Sequence, residues 1–431
     1  MSTELDDFSR AQLAILGREW LLHGHLQDRV GMPLVHTGRS REEMQAIAIE
    51  EWMAASPVYS LRTQRALKFG NADVPTILKN IQIDIGAPPH FMDFRCRVDD
   101  ANHGEFQLAH CGALLDVEPM GEDYVHGMCH AIEDPTFDAT AGATNPRAQV
   151  RPVHRPPRVP TDRHPHCHWT VTIDPEFPPV DAHPFRAIVE QSKLAGIATE
   201  EPSPTGSDAE PGGWDDYAGD FDPDFELEDL SHRALVTVLQ EVAVQSHLLL
   251  RGFAIAVAAR YGEDAALALI PQIFTGLAGM TAQRLLPVLG IETRDIETQA
   301  DVESRAAAIA RLLRFHPVFW PRTYVDLRIE VLDDRRVRFS FGPSPVLDEA
   351  DGFTWFAQLG GASDRALDAI VQAVDPRAAC HAVVPTGDER FAYEAVVDPD
   401  AAPAAEAPEI ALAKISGGAA FVFTPRRPVR V

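Results

Sequence analysis

Apolar residues recur at helical spacing from Gln12 to about Val35 and again from Arg41 to Phe69. The second run opens on SREEM, where Ser40 and Glu43 have the spacing of a capping box. The period then changes to two. In HFMDFRCRV, Met92, Phe94, Cys96 and Val98 fall on one face, and Asp93, Arg95 and Arg97 on the other; GEFQLAH follows as the hairpin partner. A helix from about Gly121 to Ile132 comes next, then strands around QVRPVHR and HCHWTVTI.

The same order of patterns returns in the C-terminal half. REWLLHGHL (Arg18 to Leu26) answers QEVAVQSHL (Gln240 to Leu248), each with a Glu and a His six residues apart. TQRALKFG answers AQRLLPVLG, FMDFRCRVDD answers YVDLRIEVLDD, and MCHAIEDP at Met128 to Pro135 answers IVQAVDP at Ile370 to Pro376. Matches that keep their order point to a tandem duplication of one domain of about 190 residues. The fold class that follows is α+β, each copy having N-terminal helices, then a small antiparallel sheet and a packed helix. Residues 1–197 form the first copy and 231–431 a degenerate second copy. Between them, 198–230 are rich in Asp, Glu, Pro and Gly, with no basic residue, and read as a flexible acidic linker, disordered or loosely docked.

Composition narrows the function. A formal charge of −26 argues against nucleic acid, which needs a basic face. The apolar stretches are broken by polar residues before reaching a membrane span, and the acidic start MSTELDDFSR is unlike a signal, so the chain reads as soluble and cytoplasmic. Five scattered cysteines do not make a disulfide framework; they serve as core residues, ligands or nucleophiles. Whether the chain is a homo-oligomer or a partner subunit stays open.

The chemistry concentrates between His110 and His168. Duplication acts as an internal control, because positions that only hold the fold keep their character in both copies. On the alignment above, Cys129 and His130 fall opposite Val371 and Gln372, Cys167 falls opposite Phe391, and the second copy has no equivalent of His110 or Cys111. The site is therefore expected in the first copy. His126 and His130 lie four apart on one helix face, the spacing by which zinc and iron sites stack two imidazoles. With His110, Cys111, Cys129, Cys167 and His166 they make a candidate ligand set for a transition metal ion, zinc, iron or manganese. A metal so bound would lower the pKa of a bound water towards about 7, with Glu133 or Asp134 as the proton acceptor of a metal-dependent hydrolase; alternatively Cys129 is itself the nucleophile, its pKa lowered by His130 or an arginine. Arg147, Arg151, Arg155, Arg158 and Arg163 stand in a proline-rich loop and suit a clamp on a small anionic substrate. A rival use of Cys96, Cys111, Cys129 and Cys167 is an iron–sulfur cluster or a zinc site in a redox or sensor protein.

The layout of a cysteine before a glycine turn (HCGALLDVEPMG), a second cysteine on a helix followed by an acidic pair (MCHAIEDPTFDAT), an NP, and a third cysteine opening the last strand (HCHWTVTI) resembles the L-2-amino-thiazoline-4-carboxylate hydrolase-like family. The resemblance covers about Leu13 to Ile173. It sets Cys111, Cys129 and Cys167 at the matching positions and implies hydrolytic C–N or C–S opening of a small, carboxylated, amino-acid-derived ring. The histidines, the arginine-rich loop and the duplication depart from that pattern.

Overall fold

The computed structural model describes residues 3–202, 211–292 and 304–424. Ser9 and Ser40 start the first two helices: each hydroxyl accepts from the backbone N–H three residues on, and Gln12 and Glu43 bond back to the caps. The helices α1 (Arg10–His36), α2 (Arg41–Ala66) and α3 (Val74–Ile81) lead into the hairpin β1 (Met92–Val98) and β2 (His103–Cys111). Next come α4 (Gly112–Val117), α5 (Glu122–His126), a π-helical turn over Gly127–Ile132 and α6 (Glu133–Thr144). The helix expected to stop near Ile132 thus runs on to Thr144. The strands β3 (Ala148–His154) and β4 (Cys167–Ile173) and the short α7 (Pro184–Glu190) close the first half.

The second half repeats this order with α8 (His232–Tyr261), α9 (Glu263–Val288), α10 (Arg305–Phe315), β5 (Leu327–Asp333), β6 (Arg336–Phe341), α11 (Asp364–Val374), β7 (Ala378–Ala382), β8 (Phe391–Val397) and α12 (Pro408–Ala413). Each half holds an antiparallel four-stranded sheet, in the orders β1-β2-β4-β3 and β5-β6-β8-β7. The architecture is α+β, twice.

One register differs from the expected alignment. Asp138 accepts from the Val150 N–H in the first half and Asp368 from the Cys380 N–H in the second; likewise Asn145 accepts from Arg147 and Asp375 from Arg377. Asp375-Pro376 therefore answers Asn145-Pro146 at a helix end, not Asp134-Pro135 within a helix. Cys129 stands opposite Leu359 and His130 opposite Gly360, instead of Val371 and Gln372. The second half still lacks both groups.

The two halves exchange helices. α2 lies along α8, α1 packs on both α8 and α9, and each half's last helix reaches the other's long helices, α7 touching α8 and α12 touching α1. One hydrophobic cluster runs through both halves. The repeated Glu and Arg explain themselves here. The Arg62 guanidinium holds Glu241 through bonds of 3.0 and 2.9 Å and donates to the Ala195 carbonyl; Arg284 holds Glu19 at 2.7 and 2.9 Å and donates to the Gly418 carbonyl. Each repeat's arginine grips the other repeat's glutamate. By length and composition α8 and α9 could each cross a membrane, but 89% and 78% of their most apolar windows are buried inside the protein, as in core helices.

The acidic segment is anchored where it is described. Trp214, Tyr217 and Phe225 stack on one another, Tyr217 being buried; its N–H bonds to the Leu67 carbonyl and its hydroxyl to Gln82. Lys79 donates to the Tyr217 carbonyl, and Arg18 pairs with Glu226 and Glu228. The expected loose linker is thus a docked strap over residues 211–230, held by the buried side chains of Tyr217, Phe225, Leu227 and Leu230 and by these bonds. The remainder of that stretch, 203–210, lies outside the described residues.

Candidate functional site

Three thiols of the first half come together beneath its sheet. Cys111 ends β2 and caps α4, its Sγ accepting from the Leu114 N–H at 3.3 Å and lying 4.0 Å from the Met92 sulfur. Cys167 opens β4 opposite Leu108, and buried residues alternate from it along the strand through Trp169, Val171 and Ile173. Cys129 lies in the π-helical turn, a rare element common at functional sites. That turn sits close on α2: a Cβ on Gly127 would stand 2.1 Å from the Gln45 amide nitrogen.

Glu133 completes the cluster, one turn beyond Cys129. Its Oε2 is buried without a hydrogen-bond partner, although the residue as a whole is half-buried. Burial pushes its carboxyl up to about 8, with Asp134 adding to the rise and Arg155 opposing it. Burial, reinforced by Glu133, pushes the Cys111 thiol up to about 12 and the Cys129 and Cys167 thiols well above their ordinary range. Two of the thiols also feel another thiol of the cluster: Cys129 is raised by Cys111 and Cys167, and Cys167 by Cys111. At neutral pH the cluster is a set of held protons. In the second half the equivalent positions carry Ser344, Leu359, Ser363 and Phe391, so the whole cluster belongs to one repeat.

The expected ligand set divides. His126 and His130 do stack, their rings 4.5 Å apart, but on a partly exposed face, where His126 stands 3.8 Å from Glu122 and His130 bonds to the Pro156 carbonyl at 2.6 Å. His110 bonds to the Phe91 carbonyl through Nδ1, and His166 accepts the Cys111 N–H at Nδ1, 3.1 Å away. Burial and the nearby Arg158 push His166 down to about 4, so its imidazole is neutral, with the proton on Nε2. Among the described residues no three or more His, Cys, Asp or Glu side chains converge to hold one metal ion.

The expected arginine clamp also divides, because four of its five guanidinium groups have a partner within the chain. Arg147 donates to the Pro175 carbonyl, Arg151 pairs with Asp138, Arg155 with Asp134, and Arg158 grips Glu118 through bonds of 2.8 and 2.7 Å. Only Arg155 borders the thiols. Its guanidinium lies over Trp169, 5.7 Å from the ring centroid, and it opposes the rise at both Glu133 and Cys129.

Two buried acids escaped the sequence reading. Asp28 and Glu51 bridge α1 and α2 and hydrogen-bond to each other. Trp52 donates to Asp28 Oδ2 at 2.9 Å and Gln27 to Glu51 Oε1 at 2.8 Å; Asp28 Oδ1 and Glu51 Oε2 have no donor. One proton shared between those two oxygens satisfies both. Burial raises both carboxyls, Glu51 well above its ordinary value. The signal was available, since Glu51 interrupts a buried stripe of Ile47, Ala54, Ala55 and Val58, and its repeat counterpart is Ile273, as Leu250 is that of Asp28.

No family model, no curated protein and no solved structure matches the chain.

Proposed function

We propose that the first half is the catalytic half of a hydrolase that opens a C–N or C–S bond in a small, carboxylated, amino-acid-derived substrate. One observation carries the reading: a carboxyl that titrates near pH 8 is buried among three thiols, in the repeat that alone has them. A proton acceptor poised near neutral pH, one helical turn from a nucleophile, suits acid–base-assisted thiol chemistry.

In its carboxylate form Glu133 takes the Sγ proton of Cys129 as the sulfur bonds to the electrophilic carbon, and it gives that proton to the departing nitrogen or sulfur. Water then bonds to the same carbon, its proton passing to Glu133. The bond from carbon to the Cys129 sulfur breaks, and the sulfur takes the proton back. Arg155, shared with Asp134, is the cation within reach of a substrate carboxylate.

The test is turnover of L-2-amino-thiazoline-4-carboxylate, followed as loss of the ring by chromatography. Wild type is expected to consume it with a rate rising through about pH 8, and Cys129→Ser and Glu133→Gln to lose activity by a hundredfold or more. Full activity in either variant, or no turnover by wild type, overturns the reading. A second reading rests on the mutual repulsion of the three thiolates, which a soft cation would relieve: a zinc or iron site, or an iron–sulfur cluster. Stoichiometric metal on the purified protein, lost on changing Cys111 or Cys167 to serine, would favour it.

A further inference from the structure

The two repeats treat one equivalent place differently. After α7 the chain passes a short turn at Leu194–Gly196, and its continuation is zipped onto α8: the Glu200 N–H donates to Gln240 Oε1 at 2.7 Å, and Gln240 Nε2 donates back to the Glu200 carbonyl at 2.9 Å. After α12 the corresponding turn is Gly417–Ala420, and the bonds of Arg62 to Ala195 and of Arg284 to Gly418 align the two segments. By that spacing Phe423 stands in place of Glu200, and Arg18 in place of Gln240. Arg18 is turned the other way: Nη1 donates to Glu228 Oε1 at 2.7 Å and Nη2 to Glu226 Oε2 at 3.2 Å. The strap 421–424 is held to α9 by Arg284, which donates to the Phe421 carbonyl at 2.8 Å, and it stands off from α1. A cleft of about 1360 Å³ opens between them.

The walls of this cleft are apolar and its end is acidic. Ile15, Met280, Val288, Phe421 and Phe423 line it, and Ile15 and Val422 are 45% and 75% exposed, an apolar surface that no described residue covers. Asp224, Glu226, Glu228 and Asp229 stand at one end. Of the cations there, Arg284 is held by Glu19, His90 is engaged with Glu226, and Arg18 with Glu226 and, through both terminal nitrogens, with Glu228. Among the described residues five carboxylates line the space against three guanidinium and ammonium groups, those of Arg18, Arg284 and Lys414, so the balance of that lining is negative. Burial raises the Asp229 carboxyl, the Glu226 N–H that it accepts opposes the rise, and Asp222, Glu226 and Glu228 add to it.

We propose that this cleft binds an elongated aliphatic ligand carrying a protonated amine, its chain along Ile15, Met280, Val288 and the strap aromatics and its ammonium group against Asp224, Glu228 and Asp229. A pocket with apolar walls and a few convergent charges is the ordinary form of a small-molecule site. The second repeat supplies α9 and the strap, so a half that lacks the thiols is needed to build this site. The strap also reaches the first half's site: Phe421 packs on Phe91 and His110, with ring centroids 5.2 and 5.9 Å apart, and His110 adjoins Cys111. Binding in the cleft requires nothing of the thiol chemistry.

The experiment is calorimetric titration of the full chain with dodecylamine and with dodecanoate, both below their micellar range, on wild type, Ile15→Arg and Glu228→Gln, with thermal melts as the check on folding. Ile15 is exposed in the cleft, so the arginine is expected to leave the melting midpoint unchanged. Wild type is expected to bind one equivalent of the amine at least tenfold more tightly than the carboxylate, and Ile15→Arg to weaken the amine tenfold or more. Glu228→Gln should weaken the amine and leave dodecanoate unweakened. Absence of amine binding, equal or tighter binding of dodecanoate, or an unchanged amine affinity in Ile15→Arg overturns the proposal.

Discussion

Replacing Arg62 by methionine removes one member of a pair whose side chains are only 8% and 6% exposed. The Glu241 carboxylate would lose both bonds, at 3.0 and 2.9 Å, and remain at the contact of α2 with α8, while the Ala195 carbonyl would lose its donor. Breaking a buried pair from one side costs about 3–5 kcal/mol, because the surviving charge is left uncompensated. The burial here places Arg62→Met towards the upper end of that range. Removing both charges, in Arg62→Met with Glu241→Leu, should recover most of the loss, since apolar groups of similar volume replace a desolvated pair at little net cost. Urea unfolding followed by circular dichroism measures both, and a single transition is expected, because the two halves share one core. A loss below about 1 kcal/mol in the single variant, a double variant as unstable as the single, or two separate transitions would refute the interlocked arrangement.

Glu133 makes stability depend on pH. Its folded value, raised to about 8, means that its contribution is complete below about 4.5 and is lost as pH rises through 8, so Glu133→Gln should flatten the decline, worth at most about 5 kcal/mol, in unfolding curves between pH 4.5 and 9. His247 and His316 behave in the opposite sense: burial lowers both to about 4, so their contribution is present above 6.5 and is lost as pH falls towards 4. His316→Gln, which can still donate to the Ala278 carbonyl, should remove roughly 3 kcal/mol of that acid sensitivity in denaturation midpoints measured from pH 7 to 4. Giving Asp28 and Glu51 their repeat counterparts, Asp28→Leu with Glu51→Ile, should leave thermal stability unchanged or raised by about 1–4 kcal/mol, and a large destabilisation would mean that the acid pair holds α1 to α2.

Much of the fold was legible because its signals are local. The capping box at Ser40 and Glu43, the alternation from Met92 to Val98, and the ordered repeat all appear in the structure. Partner choice was not legible. The Glu and Arg of each repeat were visible as matched positions, but nothing local says that Arg62 reaches Glu241 across to the other repeat. The π-helical turn misled in another way, since residues 122–144 read as one helix ending early, and the DP of the second repeat then matched the wrong Pro. The acidic segment looked unable to bury itself because three aromatics at 214, 217 and 225 were outweighed by their charged neighbours. For the site, the three cysteines were found and do gather. The histidines and arginines were grouped with them by closeness in sequence, which a sheet edge and a loop pull apart.

The exchanged helices also bear on descent. A chain made of one repeat alone would present the surface of α2 that now covers α8, and an arginine whose glutamate partner lies at the wrong place in its own sequence. Two such chains related by a two-fold axis would satisfy both at once, with the same arginine–glutamate pair made twice across a self-complementary interface. The present molecule keeps that geometry in one polypeptide. A fused chain is free of the identity that a two-fold dimer imposes, and the four thiol and carboxyl positions of one half stand as Ser344, Leu359, Ser363 and Phe391 in the other.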